Sequence, residues 1–444
     1  MPLTGPRLQT DMGWPGEGPF WYTAVPEPEL SEQLVRASHA KSVSLSRDLR
    51  IDSVTIQPCL EEKEASQDRL FSLEVPGVGT LTGVFDGHGG HEVADLAVST
   101  LPNMLSEALT TLFSNGTPSP DQVSSTLAET ILSLDNQIIK GVTSLFPGGI
   151  NSTSALDVDK IVSENHEKIL LGMRGTTVLI ALVDEAKENL WVANLGDCVA
   201  VMVTEDPATG NWTSEALTTG HNGNVSSEAD RIRAEHPGEP DCMARGRVLG
   251  AIAVTRALGD LTFKLPAPYT SRVFLSPKAP PFRTHTSIQD VVLPRIFTAP
   301  YMNANADVKH HSLSRSQPGA GRRLLILTTD GLPTVAIQAN DARLGKRTTL
   351  EEELNELERR AMNAWGSVAG RALVGEAGTG NGNGNVALAV LRAVIGSDDG
   401  MGNTKAVEAE AAAGRPEDLV LARALTVEMQ ERWMDDSTVQ AVHL

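Results

Sequence analysis

The sequence predicts an α+β fold: a central β-sandwich of two mainly antiparallel sheets flanked by helices on both sides, in four layers α-β-β-α. Three observations point there. Short runs that are apolar on both faces recur along the chain, as strands do inside a layered structure. Segments with helical spacing and recognisable start signals lie between them. Neighbouring runs also sit close enough to suggest hairpins rather than the crossovers of a parallel sheet. The 444 residues, 41% of them hydrophobic, suffice for one large domain with elaborations.

In chain order, residues 1–50 are Pro-rich and read as an N-terminal extension. Trp14, Phe20 and Trp21 make residues 13–21 an ordered arm, because disordered tails rarely carry such anchors. Residues 29–40 fit one helix. A single domain is expected over residues 51–444. Its strands are read at 81–85, 178–183, 190–195, 199–203, 324–327 and 438–442, with 190–203, broken at Gly196-Asp197, as a hairpin. Helices are expected at 92–105 and 226–236. A third begins at Ser119-Pro120-Asp121-Gln122, a capping box with Pro in the first turn, and continues through Val123, Leu127, Ile131, Leu134 and Ile138. Two insertions are expected. Residues 265–320 show little periodicity, and His310 and His311 within them read as surface. Residues 375–416 begin Gly-rich and continue Ala/Glu-rich, as a mobile loop does.

The charge excludes several functions. With 37 basic and 56 acidic side chains, the net charge of −19 opposes non-specific nucleic-acid binding and attachment to anionic membranes. No run approaches the ~20 apolar residues of a membrane span. Three cysteines, Cys59, Cys198 and Cys242, are too scattered for a disulfide scaffold or a zinc cluster and suit a reducing, intracellular compartment. The N-terminus has neither a signal peptide's apolar region nor a transit peptide's Arg-rich helix, which favours the cytoplasm.

Function is carried by acids that interrupt the apolar runs. Val84-Phe85 leads into Asp86-Gly87-His88-Gly89-Gly90, Leu195-Gly196 into Asp197, and Thr328-Thr329 into Asp330-Gly331. Asp435-Asp436 precede the last strand, and Asp68 precedes Phe71. A carboxylate at a buried strand end is costly unless its charge is compensated. Several at one rim would repel by several kcal/mol at an effective dielectric of ~20, and a divalent cation removes that repulsion. Oxygen donors of this kind suit Mg²⁺ or Mn²⁺. A carboxylate bridging two such ions supports hydrolysis of a phosphoester. Gly87 lets its carbonyl approach a metal, and His88 can protonate a leaving oxygen. A lone Asp-Gly is ordinarily a turn, but a potential acid among three glycines is a rarer constellation. His91 reads as a helix start and Asp436 as a strand-end cap or a partner that supports the acids of the site from behind.

These residues resemble the metal-dependent protein serine/threonine phosphatases of type 2C. Eight segments match in order: Gln67-Asp68-Arg69; Val84 to His91; Arg174-Gly175-Thr176-Thr177; Ala193 to Asp197; Leu217 to Asn222; Gly250 to Asp260; Leu325 to Gly331; and Asp435 to Val439. Glu235-His236-Pro237, Asp260 to Lys264 and the long insertions are most similar to the pyruvate dehydrogenase phosphatase-like branch. The resemblance implies two Mg²⁺ or Mn²⁺ ions, with a weak third, and phosphoserine/phosphothreonine proteins as substrates. Asp86 would bridge the metals, the Gly87 carbonyl would bind one with Asp68 nearby, and Asp330 and Asp435 would complete the other. Asp197 would serve the third metal, His88 would be the general acid, and Asp260 would support the site through waters.

Some positions depart from the pattern. Gln67 stands where Glu is usual, Lys63 or a neighbour must replace a phosphate-clamping Arg, and Val199 replaces an Arg. Gly220 replaces an Asp, Pro333 a Trp and Thr334 an acid. A metal-weakened homologue acting as a phosphoprotein-binding module is therefore the alternative reading, and a nucleotide-binding protein is disfavoured because no Lys follows the glycines. The branch resemblance implies the mitochondrion as the alternative location.

Overall fold

A computed structural model of the chain describes residues 3–10, 12, 18–45, 49–57, 66–284, 286–313, 321–332, 366–370, 372, 384–396, 416–429 and 434–444. The chain divides into two compact units: Gln67–Cys198 with Thr218–Ser314, and Met1–Ser66 with Val199–Leu217 and Arg315–Leu444.

In the first unit, the apolar runs form one antiparallel sheet of five strands. Their order is Asp307–Ser312, Asn189–Leu195, Val178–Asp184, Gly79–Phe85 and Arg69–Val75. Gly79–Phe85, an inner strand with a neighbour on each side, is buried at every position. Two long helices, Glu92–Ser114 and Pro120–Thr143, share a core with it: Leu101, Leu105, Leu127 and Ile131 join Leu81, Phe85, Ile180 and Trp191. The capping box at Ser119 forms as expected, the Ser119 hydroxyl accepting from the Gln122 amide and the Gln122 side chain from the Ser119 amide. The first helix runs past the expected end at 105, because Leu105 and Leu109 extend its buried stripe beyond Pro102.

The second unit holds an antiparallel sheet of six strands: Trp212–Ala216, Val199–Glu205, Arg323–Thr328, Ser437–His443, Arg50–Ile56 and Lys41–Ser44. Helices Glu29–Ala37 and Val386–Ile395 contribute to its core through Leu30, Leu34, Val390 and Leu391. Buried Asp52 ties three other elements to its own strand. It accepts hydrogen bonds from Ser42 Oγ (2.5 Å), Arg50 Nε (2.9 Å) and the Val386 amide (2.9 Å), and His443 Nε2 lies 2.9 Å away. Burial raises its carboxyl, but these bonds outweigh burial and hold it below the ordinary range.

The expected class, α+β with mainly antiparallel sheets and helices, is therefore what the chain forms. Three local expectations are corrected. Residues 190–203 are not a hairpin: Asn189–Leu195 pairs with Val178–Asp184 and Asp307–Ser312, while Val199–Glu205 pairs in the other sheet. Both strands are apolar on two faces, so hydropathy alone gave no sign that they had different neighbours. Residues 265–320 are structured where described. Asp307–Ser312 is a polar edge strand with His310 and His311 half-buried, and Ile288, Val292 and Tyr301 join a separate core. Within residues 375–416, the segment Val386–Ile395 is a buried helix capped by the Asn385 side chain rather than loop. Residues 13–17 of the aromatic arm lie outside the described residues; Phe20 and Trp21 belong to the strand Phe20–Thr23, paired with Arg7–Thr10.

Candidate active site

Strand register gathers the acids of the first unit at one end of its sheet. Arg69 pairs with Phe85, Val84 with Leu179, and Leu195 with Val178. Asp68, just before the first strand, Asp86, just after Phe85, and Asp197, two residues past Leu195, thus leave the sheet on the same rim. Asp68 is 3% exposed, and Asp86 is half-buried. The Asp86 amide donates to Thr177 Oγ1 (3.1 Å), and its carbonyl accepts from the Thr177 amide (2.9 Å) and Thr176 Oγ1 (3.0 Å). The Arg174-to-Thr177 motif therefore fixes the Asp86 backbone.

Beyond Asp86 the chain enters a small three-stranded sheet, Leu258–Gly259, Gly175–Thr176 and Gly87–His88 in that order. Two of its glycines are sterically required. A Cβ at Gly87 would lie 2.6 Å from the Gln67 carbonyl oxygen, and one at Gly175 would fall on His88 Nε2 and Asp260 Oδ2. That sheet brings together residues 172 positions apart: His88 Nε2 and Asp260 Oδ2 are separated by 2.6 Å. A carboxylate at this distance fixes the ring's orientation and the proton on Nε2. Asp260, expected to support the site through waters, lies directly against His88. It does so from a left-handed conformation (φ 53°, ψ 42°) that is uncommon outside glycine.

The loop after His88 is pinned by Gln67, whose Oε1 accepts from the Gly90 amide at 2.8 Å. His91 begins the helix as expected and, with Arg69, contacts Asp95, 2.7 Å from His91 Nδ1 and 2.5 Å from Arg69 Nε. Burial raises the Asp95 carboxyl, but the bonds from Arg69 and His91 prevail and keep it below the ordinary range.

Asp197 is held by Asn222, whose Nδ2 donates to Oδ2 at 2.7 Å. Part of Asp197 reaches solvent, but its carboxyl has enough protein around it that burial pushes it above the ordinary range, against the Asn222 bond. Buried His221 braces the same turn, its Nδ1 accepting from the Gly196 amide at 3.1 Å while Nε2 faces Asp307 Oδ2 at 3.1 Å. The bond from His221, followed by the charge of Arg256, lowers Asp307 to about 2. The sequence singled out His221 and Asn222 as motif residues without assigning them this part.

In the second unit, Asp330 follows strand Arg323–Thr328 and Asp435 precedes Ser437–His443. The pairing of Thr328 with Val439 sets both at the same end of adjacent strands. Asp435 is exposed and its Oδ1 accepts from the Asp436 amide at 2.9 Å, while Asp436, read as a strand-end cap or a supporting partner, is buried at 3% exposure. Lys63, Pro333 and Thr334 lie outside the described residues.

Among the described residues, no three His, Cys, Asp or Glu side chains converge to hold a metal by themselves. The donor chemistry nevertheless fits a hard divalent cation. The acids at these strand ends offer oxygen only, and the backbone at Gly87 packs too closely against the Gln67 carbonyl for any side chain to stand there. Ions of this kind complete their shells with water and substrate oxygens.

An α+β chain with acids at its strand ends and an acid-held histidine defines a class, and the comparison with known proteins gives it a name. The protein phosphatase 2C family profile matches residues 76–336, more than half of the chain, and the chain belongs to that family. Among curated relatives, the mitochondrial pyruvate dehydrogenase (acetyl-transferring) phosphatase 1 of Saccharomyces cerevisiae is 31% identical over 189 residues, 41% of this chain and 31% of that protein. The human mitochondrial phosphatase 2 of the same description is 30% identical over 276 residues, 61% of this chain and 47% of that protein. These matches bear out the branch resemblance read from the motifs. They also span less than half the length of either relative. Among solved structures, the serine-threonine phosphatase 2C from Toxoplasma gondii is 16% identical, covering 91% of this chain and 98% of its own, with a TM-score of 0.44. Among the described residues no helix is long and apolar enough to cross a membrane.

Proposed function

We propose that the chain is a Mg²⁺- or Mn²⁺-dependent phosphatase that hydrolyses phosphoserine and phosphothreonine in proteins by direct attack of water. The observation that carries this reading is the His88–Asp260 pair at 2.6 Å, two residues from Asp86 in a chain of this family. Asp86, the Gly87 carbonyl and Asp68, with Asp330 and Asp435 assigned by their motifs, would hold two ions; Asp197 would hold a weaker third. When bound, the ions supply a hydroxide at neutral pH and neutralise charge on the phosphoryl group. As the bond from phosphorus to the Ser or Thr oxygen breaks, His88, its Nε2 proton held by Asp260, donates the proton of its other ring nitrogen, Nδ1, to that oxygen. Asp260 keeps the ring aimed. Lys63 would contact the phosphate as a point charge.

In this reading residues 51–444 carry the phosphatase domain and residues 1–50 are an extension to it. Similarity to mitochondrial pyruvate dehydrogenase phosphatases favours a phosphorylated dehydrogenase complex as substrate and the mitochondrion over the cytoplasm. The test compares wild type with Asp86→Asn for phosphate release from a phosphothreonine peptide with millimolar Mn²⁺. A loss of at least about 100-fold, the scale of a missing electrostatic catalyst, is expected. Equal rates would remove Asp86 from the chemistry.

A further inference from the structure

Asp135 lies on the buried stripe of helix Pro120–Thr143, between Leu134 and Ile138, and is 2% exposed. A charge there is costly unless paired. Its Oδ1 accepts from Lys264 Nζ at 2.7 Å and from the Gly259 amide at 2.9 Å, and Lys264 Nζ also donates to the Ala257 carbonyl at 2.7 Å. Both side chains are almost fully buried.

What this ion pair grips is the segment 257–264. Gly259 and Ala257 anchor it on one side and Lys264 on the other, and between them stands Asp260 in its left-handed conformation. A non-glycine residue in that conformation is disfavoured and persists only when its surroundings enforce it. The Asp260 amide donates to the Arg174 carbonyl at 2.9 Å, and Asp260 Oδ2 meets His88. Stability is a poor reason to bury such a pair, since well-packed apolar replacements of buried ion pairs are often neutral or stabilising.

We propose that Asp135 and Lys264 are positioning residues for catalysis: they hold Asp260 in the conformation that keeps His88 aimed at the leaving oxygen. The proposal rests on the phosphatase reading above. It predicts a loss that depends on the leaving group. An alkoxide departing from phosphothreonine needs the proton of His88, whereas the nitrophenolate of p-nitrophenyl phosphate departs without much help.

The test uses the full chain as wild type, Lys264→Met, and the double variant Lys264→Met/Asp135→Leu, which leaves no unpaired buried charge. His88→Ala serves as the reference. We expect kcat on a phosphothreonine peptide to fall about 100-fold in both brace variants, with a much smaller fall on p-nitrophenyl phosphate and KM for each substrate little changed. Adding His88→Ala to the double variant should cost little more, because the two act through one proton. Equal losses on both substrates, or no loss in the folded double variant, would overturn the proposal. An activity-independent readout is the downfield proton of His88 Nε2 in ¹⁵N-histidine-labelled protein, assigned by its absence in His88→Ala. It should shift or vanish in the brace variants, and an unchanged signal would overturn the proposal. If wild type hydrolyses neither substrate, the phosphatase reading fails, and this signal still decides whether the pair positions His88.

Discussion

Replacing Gly175 by Ala should disable the enzyme by separating His88 from Asp260. An added Cβ would fall on His88 Nε2 and Asp260 Oδ2 and would lie 2.6 Å from Asp260 Cγ. Carbon atoms in contact sit about 3.5 Å apart, so Asp260 Cγ must retreat by about 0.9 Å, and the two bonded atoms by more. Opened by that much, the 2.6 Å contact reaches about 3.5 Å, the limit of a hydrogen bond. Retreat is hindered because the neighbouring Gly259 is paired with Gly175 and bonded to Asp135. Overpacking of this kind costs roughly 1–3 kcal/mol of stability. Loss of an aimed general acid costs about 100-fold or more in rate. Thermal unfolding and kcat on a phosphothreonine peptide measure both. Activity within twofold of wild type would refute the claim that the His88–Asp260 contact matters for the reaction.

Other outcomes follow from the same contacts. Gln67→Glu keeps the acceptor for the Gly90 amide and adds a negative charge near Asp86, so the Mn²⁺ concentration giving half-maximal activity should fall about tenfold, or about 1.4 kcal/mol; an unchanged titration would separate Gln67 from the metal. Burial raises the Glu228 carboxyl, but hydrogen bonds from Arg256, Arg231 and Thr255 outweigh it and lower it from 4.5 to about 2. A depressed carboxyl stabilises the fold above its unfolded value and loses that contribution as pH falls from 4.5 toward 2. Glu228→Gln should therefore cost about 3 kcal/mol at neutral pH, and its unfolding temperature should approach that of wild type below pH 4. A gap that stays constant with pH would contradict the pairing.

The sequence carried much of this site because acids that break apolar runs are conspicuous. Asp86, Asp197 and Asp330 stand at strand ends, and hydropathy locates those ends within a residue or two. Strand partners were less legible. Asn189–Leu195 and Val199–Glu205 look alike as sequences, yet they pair in different sheets. The edge strand Asp307–Ser312 was hidden because its solvent-facing residues leave no apolar alternation. Long-range polar pairs left the least trace. Nothing local links His88 to Asp260 or Asp135 to Lys264, since each contact depends on register in the three-stranded sheet and on the face of a helix that appears apolar. The burial of Asp436 beside exposed Asp435 likewise follows from strand orientation rather than from residue type.

The most direct test of the central claim is phosphate release from a phosphothreonine peptide by protein stripped of metal with a chelator and then titrated with Mn²⁺ or Mg²⁺. The account predicts no turnover in the stripped protein and a saturable rise as either ion is added. Undiminished turnover after stripping, or none from folded protein at millimolar metal, would contradict it.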